Sequence, residues 1–230
     1  MLLLRPPGVY RPQGDTSLLC EALTGAGVLR GASVLDVGTG TGMVALTAAR
    51  GGARRVTAVD VSRRALLAVR VNALARGLRV RTRRGDLFSA VAGERFDVIV
   101  SNPPYVAGEP ACAHGAARAW DAGLDGRRHL DRICAQAPEY LHPGGTLLMV
   151  HSALCGVRST LGALHEAGLR ASVVARRREP FGPVMNARAG RLASLGLITR
   201  GQYEEELVVI RADRAAAGTA AVRPGHRHAG

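Results

Sequence analysis

No lysine occurs anywhere in the 230 residues, although the formal net charge is +13 and the chain counts 31 Lys and Arg positions. Every one of those positions is arginine. With the enrichment in Ala and Gly, this reads as codon usage in a GC-rich genome rather than as a dedicated nucleic-acid surface. The arginines are spread out, apart from Arg81-Thr82-Arg83-Arg84 and Arg176-Arg177-Arg178. Aromatic residues make up only 3 %, too few for a base-stacking platform. Contact with a ribosome or with an acidic protein stays open under a charge of this sign. The cysteines Cys20, Cys112, Cys134 and Cys155 show no Cys-x-x-Cys spacing, so neither a zinc site nor a disulfide framework is indicated. His114, His129, His142, His151, His165, His226 and His228 form no metal-ligand cluster; all seven read as surface or loop residues, and no metal is expected. No apolar run is long enough to cross a bilayer, and Met1–Pro7 is too short for a signal-peptide core. A soluble cytoplasmic protein is the expectation.

What is present is an alternation of apolar strands with helical patterns, which argues for an α/β fold with a mostly parallel sheet covered on both faces. Seven strands are read at 33–37, 55–60, 78–82, 96–101, 146–151, 169–175 and 206–211. Helices are read at 42–50, from the N-cap Ser62 to about Arg76, at about 126–137 where Pro138 should halt the helix, and at 154–167. Pro143-Gly144-Gly145 reads as a turn into the fifth strand, and Val106–Leu124 as loop. One domain is expected over residues 1–212. Within it, 180–203 reads as an insertion between the last strands, with a short helix near Arg188–Leu195. Residues 213–230 read as a disordered tail.

Four sites carry chemistry. Asp36-Val37-Gly38-Thr39-Gly40-Thr41-Gly42 joins the first strand to a helix. Glycines there let the backbone approach a ligand, and the helix N-terminus faces it. The spacing Gly-x-Gly-x-Gly, with Asp36 two positions before Gly38, favours an amino-acid-bearing nucleoside over a dinucleotide. Asp60 ends the second strand, where a carboxylate can bond both ribose hydroxyls. Asp86, after the third strand, can accept from an adenine amino group, with Leu87 or Phe88 against the ring; a plain Asp turn would use the same residues. Asn102-Pro103-Pro104-Tyr105 follows the apolar strand 96–101. An amide there can hold a flat NH2 group through the Asn102 side-chain carbonyl and the Pro103 backbone carbonyl, with Tyr105 fixing the plane by stacking. Such a nitrogen has a delocalised lone pair, so positioning rather than a general base is what helps it react.

This order of motifs resembles the class I S-adenosylmethionine-dependent methyltransferases, and within them the HemK family of glutamine N5-methyltransferases acting on translation termination factors. The resemblance runs over most of Val9–Val150. Val9-Tyr10-Arg11-Pro12 with Asp15-Thr16 is similar to the start of the short eukaryotic and archaeal members, and Trp120–Arg127 to the segment that forms the substrate mouth. It implies a Rossmann-like, seven-stranded, mostly parallel sheet. It implies that Gly38, Gly40, Asp60 and Asp86 hold S-adenosylmethionine, that Tyr10 and Thr16 line the same pocket, and that Asn102 and Pro103 hold the accepting nitrogen. Gly14 stands where the family carries an acid, and no counterpart of the N-terminal helical domain of bacterial members is expected. A release factor is the implied substrate; a small zinc-binding activator subunit, as used by short eukaryotic relatives, is an open partner. The alternatives are an N6-adenine or N2-guanine nucleic-acid methyltransferase, which would need a base-extracting surface, a small-molecule methyltransferase with 180–203 as a lid, and a non-catalytic binder of the cofactor.

Overall fold

The computed structural model describes residues 3–107 and 122–217. The chain begins with α1 (Gly14–Gly25) and then alternates β1 (Ser33–Val37), α2 (Met43–Arg50), β2 (Arg55–Asp60), α3 (Arg63–Leu74), β3 (Arg81–Arg84) and β4 (Phe96–Ser101). There follow α4 (Arg128–Tyr140), β5 (Leu141–Ser152), α5 (Val157–Glu166), β6 (Leu169–Pro180), α6 (Pro183–Ser194) and β7 (Glu204–Arg214). One seven-stranded sheet has the order β3-β2-β1-β4-β5-β7-β6. Strands β1 to β5 pair in parallel, and β7 runs antiparallel between β5 and β6. The expected mostly parallel sheet is therefore what forms. All five residues of β1 are buried. Successive side chains in a strand point to opposite faces, so both faces of the sheet are covered there.

The sheet register positions everything at its carboxyl edge. Val37, Val59 and Ser101 are partners across β2, β1 and β4, and Asp60 pairs with Arg84. Gly38, Asp60, Asn102 and the turn at Gly85 consequently emerge side by side. Ser101 Oγ donates to the Val37 carbonyl at 2.9 Å and ties the two strand ends together. At the opposite edge, Asp97 accepts from the Ser33 amide and hydroxyl, both at 2.7 Å.

Several boundaries differ from the sequence expectation, each for a local reason. The third strand is Arg81–Arg84 rather than 78–82, because Leu78 is used to close α3: its amide bonds to the Ala73 carbonyl while Gly77 takes φ +64°. Pro138 does not halt α4, which runs to Tyr140; a proline in the last turn removes few helical bonds, and the Leu141 amide still reaches the Ala137 carbonyl. Pro143-Gly144-Gly145 lies inside β5 as an irregularity, where pairing shifts between Phe96 and Val98. The helix expected at 154–167 is broken by Gly156 at φ +82° into a short 3-10 turn and α5. Strand β6 continues to Pro180 and carries the Arg176-Arg177-Arg178 run, whose members pair with Glu206, Glu21 and Glu204. The connection after it holds α6, longer than expected. Strand β7 continues to Arg214, two residues past the expected end of the domain; residues 218–230 lie outside the described part. Helix α1 has no counterpart among the helices read from the sequence. His151 is fully buried in β5 and His129 lies partly buried in α4, so neither is the surface or loop residue expected.

The loop leading into α4 is locked against the Asn-Pro-Pro-Tyr segment. Gly126 takes φ +77°, and a Cβ there would run into the Tyr105 carbonyl and come within 2.9 Å of Cys155 Sγ. Gly126→Ala is expected to lower stability by roughly 2–4 kcal/mol, read as a lower urea midpoint at unchanged slope; an unchanged midpoint would show that the loop yields freely.

Candidate active site

A cavity of about 720 Å³ opens over the carboxyl edge of β1, β2, β3 and β4. Tyr10, Thr16, Asp36, Gly38, Gly40, Asp60, Asp86, Leu87, Asn102, Pro103 and Tyr105 all line it. The topology thus brings these residues together, although they come from the segment before α1, the start of α1, the ends of β1 and β2, and the loops after β1, β3 and β4. Phe88 is the exception among the side chains considered for the adenine ring: it is fully buried and stacks on Tyr140, with centroids 4.6 Å apart, so Leu87 alone faces the cavity.

The glycine loop has the form of a cradle. Gly38 and Gly40 take φ of +74° and +55°, and a Cβ built on either meets no atom within 4 Å. The space those side chains would fill belongs to the cavity, which fits close approach of a ligand to backbone. Asp60 is braced rather than free to swing. One carboxylate oxygen accepts from the Gly40 amide at 3.0 Å, and the other from the Ser62 amide at 2.8 Å. Ser62 in turn caps α3 through the Ala65 amide. Burial raises the pKa of Asp60, and the amides of Ser62, Gly40 and Val61 oppose the rise. Asp36 is wholly interior: Oδ2 accepts from Thr39 Oγ1 at 2.6 Å and from the Ala45 amide at 3.0 Å. Burial pushes this carboxyl up to about 7, against the pull of those two hydrogen bonds. Asp86 lies half-exposed at the cavity rim, bonded to Arg132 of α4 at 2.7 Å.

Asn102 faces the same space from the other side. Its Nδ2 donates to Thr16 Oγ1 at 3.1 Å, so the carbonyl oxygen is the end that the side chain offers to the cavity. Tyr105 is buried, and its hydroxyl reaches Asp15 Oδ2 at 3.2 Å. The Tyr10 hydroxyl reaches the same oxygen at 2.7 Å. Burial, with Asp15 close by, raises both phenols, so they remain protonated donors. Among the described residues the thiols offer no nucleophile: burial pushes Cys20 up to about 11 and Cys134 and Cys155 up to about 12; Cys112 lies outside the described residues. Among the described residues no group of three or more His, Cys, Asp and Glu could hold a metal ion.

Motif reading missed part of the lining. Glu179 at the end of β6 lies over Gly14, in the very space where a Gly14 side chain would go. Glu205 of β7 is buried beside it in the cavity wall, and burial raises its pKa. Val184 and Met185 of α6, and Arg132 and His129 of α4, complete the wall. Only Asp15 carried a sequence signal, through its place before Thr16; the others come from distant segments. Trp120 and Asp121, expected at the substrate mouth, lie outside the described residues.

The glycine cradle, the braced acid at the end of β2 and the amide at the end of β4 define a class I methyltransferase, and a family model described as the methyltransferase small domain matches residues 3–179. The chain belongs to that family and is an S-adenosylmethionine-dependent methyltransferase. Within it, the relatives are specific. A protein named as an N5-glutamine methyltransferase of Methanocaldococcus jannaschii is 34 % identical over 188 residues, covering 81 % of this chain and 93 % of that one. The release factor glutamine methyltransferase of Bordetella pertussis is 41 % identical over 176 residues, covering 71 % of this chain. The chain spans 64 % of that protein's length. Among solved structures, the E. cuniculi Mtq2–Trm112 complex, responsible for methylation of the eRF1 termination factor, aligns over 90 % of this chain and 99 % of its own with a TM-score of 0.63 at 23 % identity. No helix among the described residues is long and apolar enough to cross a membrane.

The Asp36 carboxyl has a consequence for stability. Its pKa is 3.8 ordinarily and about 7 in the fold. Between these values the folded state keeps a proton that the unfolded chain has released, so this group's contribution weakens as pH rises from about 4 through about 7. An Asp36→Asn variant keeps an acceptor for Thr39 and Ala45 without that loss. Relative to the parent it should gain roughly 1–3 kcal/mol between about pH 5 and about pH 8. Thermal melts across that range check it, and a pH-independent difference would refute it.

Proposed function

We propose that this chain transfers a methyl group from S-adenosylmethionine to the side-chain amide nitrogen of a glutamine in a translation release factor. The observation that carries the reading is the Asn102 amide, held by Thr16 with its carbonyl end towards the cavity and followed by Pro103 in the same wall. Two carbonyl acceptors at one point suit a planar NH2 group. When bound, the cofactor supplies a methyl group on a positively charged sulfur. Gly38, Gly40 and Asp60 would hold its amino-acid and ribose parts, and Asp86 with Leu87 its adenine. Asn102 and Pro103 would accept the two N–H bonds of the substrate nitrogen, turning its lone pair towards the methyl group. Tyr105 and Tyr10 close the cavity wall and help to exclude water. No general base is required, because the nitrogen becomes strongly acidic only once it is methylated and cationic, and its proton then passes to solvent water.

Glutamine is favoured over a nucleobase by the relatives' names and by charge. The Arg176-Arg177-Arg178 run, one of the two places where the arginines cluster in sequence, is paired with glutamates in the fold. The segment 180–203 would form the acceptor-side wall. Gly182, Val184 and Met185 line the cavity, and Arg188 donates to the carbonyls of Val106 and Ala107, just past Asn-Pro-Pro-Tyr. A small activator subunit is a second part of the proposal: β3 is an open edge of the sheet, suited to strand addition. The reading places the work in the cytoplasm.

Labelled cofactor should mark purified release factor, and leave total rRNA and genomic DNA unmarked. Label in nucleic acid but not in protein would overturn the glutamine assignment. Asn102→Ala should cut transfer at least ~100-fold, while the dissociation constant for S-adenosylmethionine, measured by calorimetry, changes less than about threefold. Loss of cofactor binding instead would mean that Asn102 belongs to the cofactor site.

A further inference from the structure

An asparagine side chain is nearly symmetric in shape. Turned over, Asn102 would fill the same space but present two donors to the cavity in place of an acceptor, and a substrate NH2 group would meet N–H against N–H. Packing alone does not choose between the two orientations. The choice must come from a hydrogen-bond partner whose own polarity is settled.

We propose that Asp15 and Thr16 are positioning residues that set the polarity of the Asn102 amide and so define the site as a receptor for an N–H donor. This rests on the reading of Asn102 as the nitrogen clamp. Asp15 is 3 % exposed at the start of α1. Oδ1 accepts from the Thr16 amide at 2.5 Å and from Thr16 Oγ1 at 3.1 Å. Oδ2 accepts from the hydroxyls of Tyr10 and Tyr105 at 2.7 and 3.2 Å. A carboxylate surrounded by four donors only accepts. The single hydroxyl proton of Thr16 is therefore committed to Asp15, and only its lone pairs face Asn102. Across that 3.1 Å contact Asn102 must place its NH2 group, which leaves the carbonyl oxygen towards the cavity. Gln13 extends the chain of orientation by donating to the Tyr10 hydroxyl at 2.9 Å. The tyrosine of Asn-Pro-Pro-Tyr thus takes part through its hydroxyl, by holding Asp15, as well as through its ring.

The test compares Thr16→Val, which keeps shape but loses the hydroxyl, with Thr16→Ser, which keeps it, in the full chain with release factor as acceptor and S-adenosylmethionine at saturation. The Val variant should lower kcat about 10- to 100-fold; the Ser variant should restore it to within about threefold. Thermal melts establish that each variant is folded. Side-chain amide NMR provides a readout independent of turnover: the Asn102 NH2 pair should show one hydrogen-bonded proton in the parent and in Thr16→Ser, and none in Thr16→Val. Asp15→Asn, which presents a donor in place of one acceptor, should follow the Val variant. A kcat unchanged in Thr16→Val, or an effect confined to the KM for cofactor, would overturn the proposal. If Asn102→Ala itself keeps full transfer, the failure lies instead with the reading of Asn102 as the clamp.

Discussion

Parallel pairing of β1 with β2 on one side and β4 on the other is the constraint on which the rest depends. It aligns Val37, Val59 and Ser101 in one row. Whatever follows those residues in sequence must then leave the sheet at the same place. A glycine loop, a carboxylate and an amide that are about twenty to sixty residues apart in the chain become neighbours because each comes directly at or after a strand end. A one-residue slip in either pairing would turn the strand's side chains to the opposite face and separate the groups. The buried ties at the strand ends, Ser101 to Val37 at the carboxyl edge and Asp97 to Ser33 at the other, resist that slip.

The site adds a second layer of organisation from α1. Its first turn inserts Asp15 and Thr16 between the aromatic residues Tyr10 and Tyr105 and the Asn102 amide. A buried carboxylate is costly unless its lone pairs are used. Here donors engage both oxygens, and the same bonds orient the Asn102 side chain that faces the cavity. Stability and chemistry are met by one arrangement: groups that satisfy Asp15 also fix the polarity of the site. Asp36 shows the opposite balance. Its two hydrogen bonds converge on a single oxygen, and burial holds its pKa well above that of an exposed carboxyl.

One wall of the cavity is assembled from the chain's later half. Strands β6 and β7 run antiparallel to each other and bring Glu179 and Glu205 to the cavity wall, where α6 adds Val184 and Met185. Glu179 occupies space that the absence of a side chain at Gly14 leaves open. A residue type missing at one position is thus answered by a residue some 165 positions away, a relationship that no local pattern contains.

The sequence by itself determined the order of the strands and of the helices after α1, the identity of the glycine loop and the roles open to Asp60, Asp86 and Asn102. Those signals are local: an apolar run, a turn residue and a polar side chain placed after it. It misplaced the ends of β3, α4, β5 and α5, because Leu78, Pro138, Gly145 and Gly156 each serve a cap, a last turn or a bulge whose geometry depends on what packs beside it. It marked the histidines as exposed, where β5 buries His151 in the sheet. Only the tertiary structure decided which way the Asn102 amide faces, that the arginine run of β6 is neutralised by glutamates, and that Glu179, Glu205 and α6 close one wall of the cavity. Each of these is a contact between segments far apart in the chain, and hydrogen-bond polarity, ion pairing and burial arise only when the fold brings such segments together.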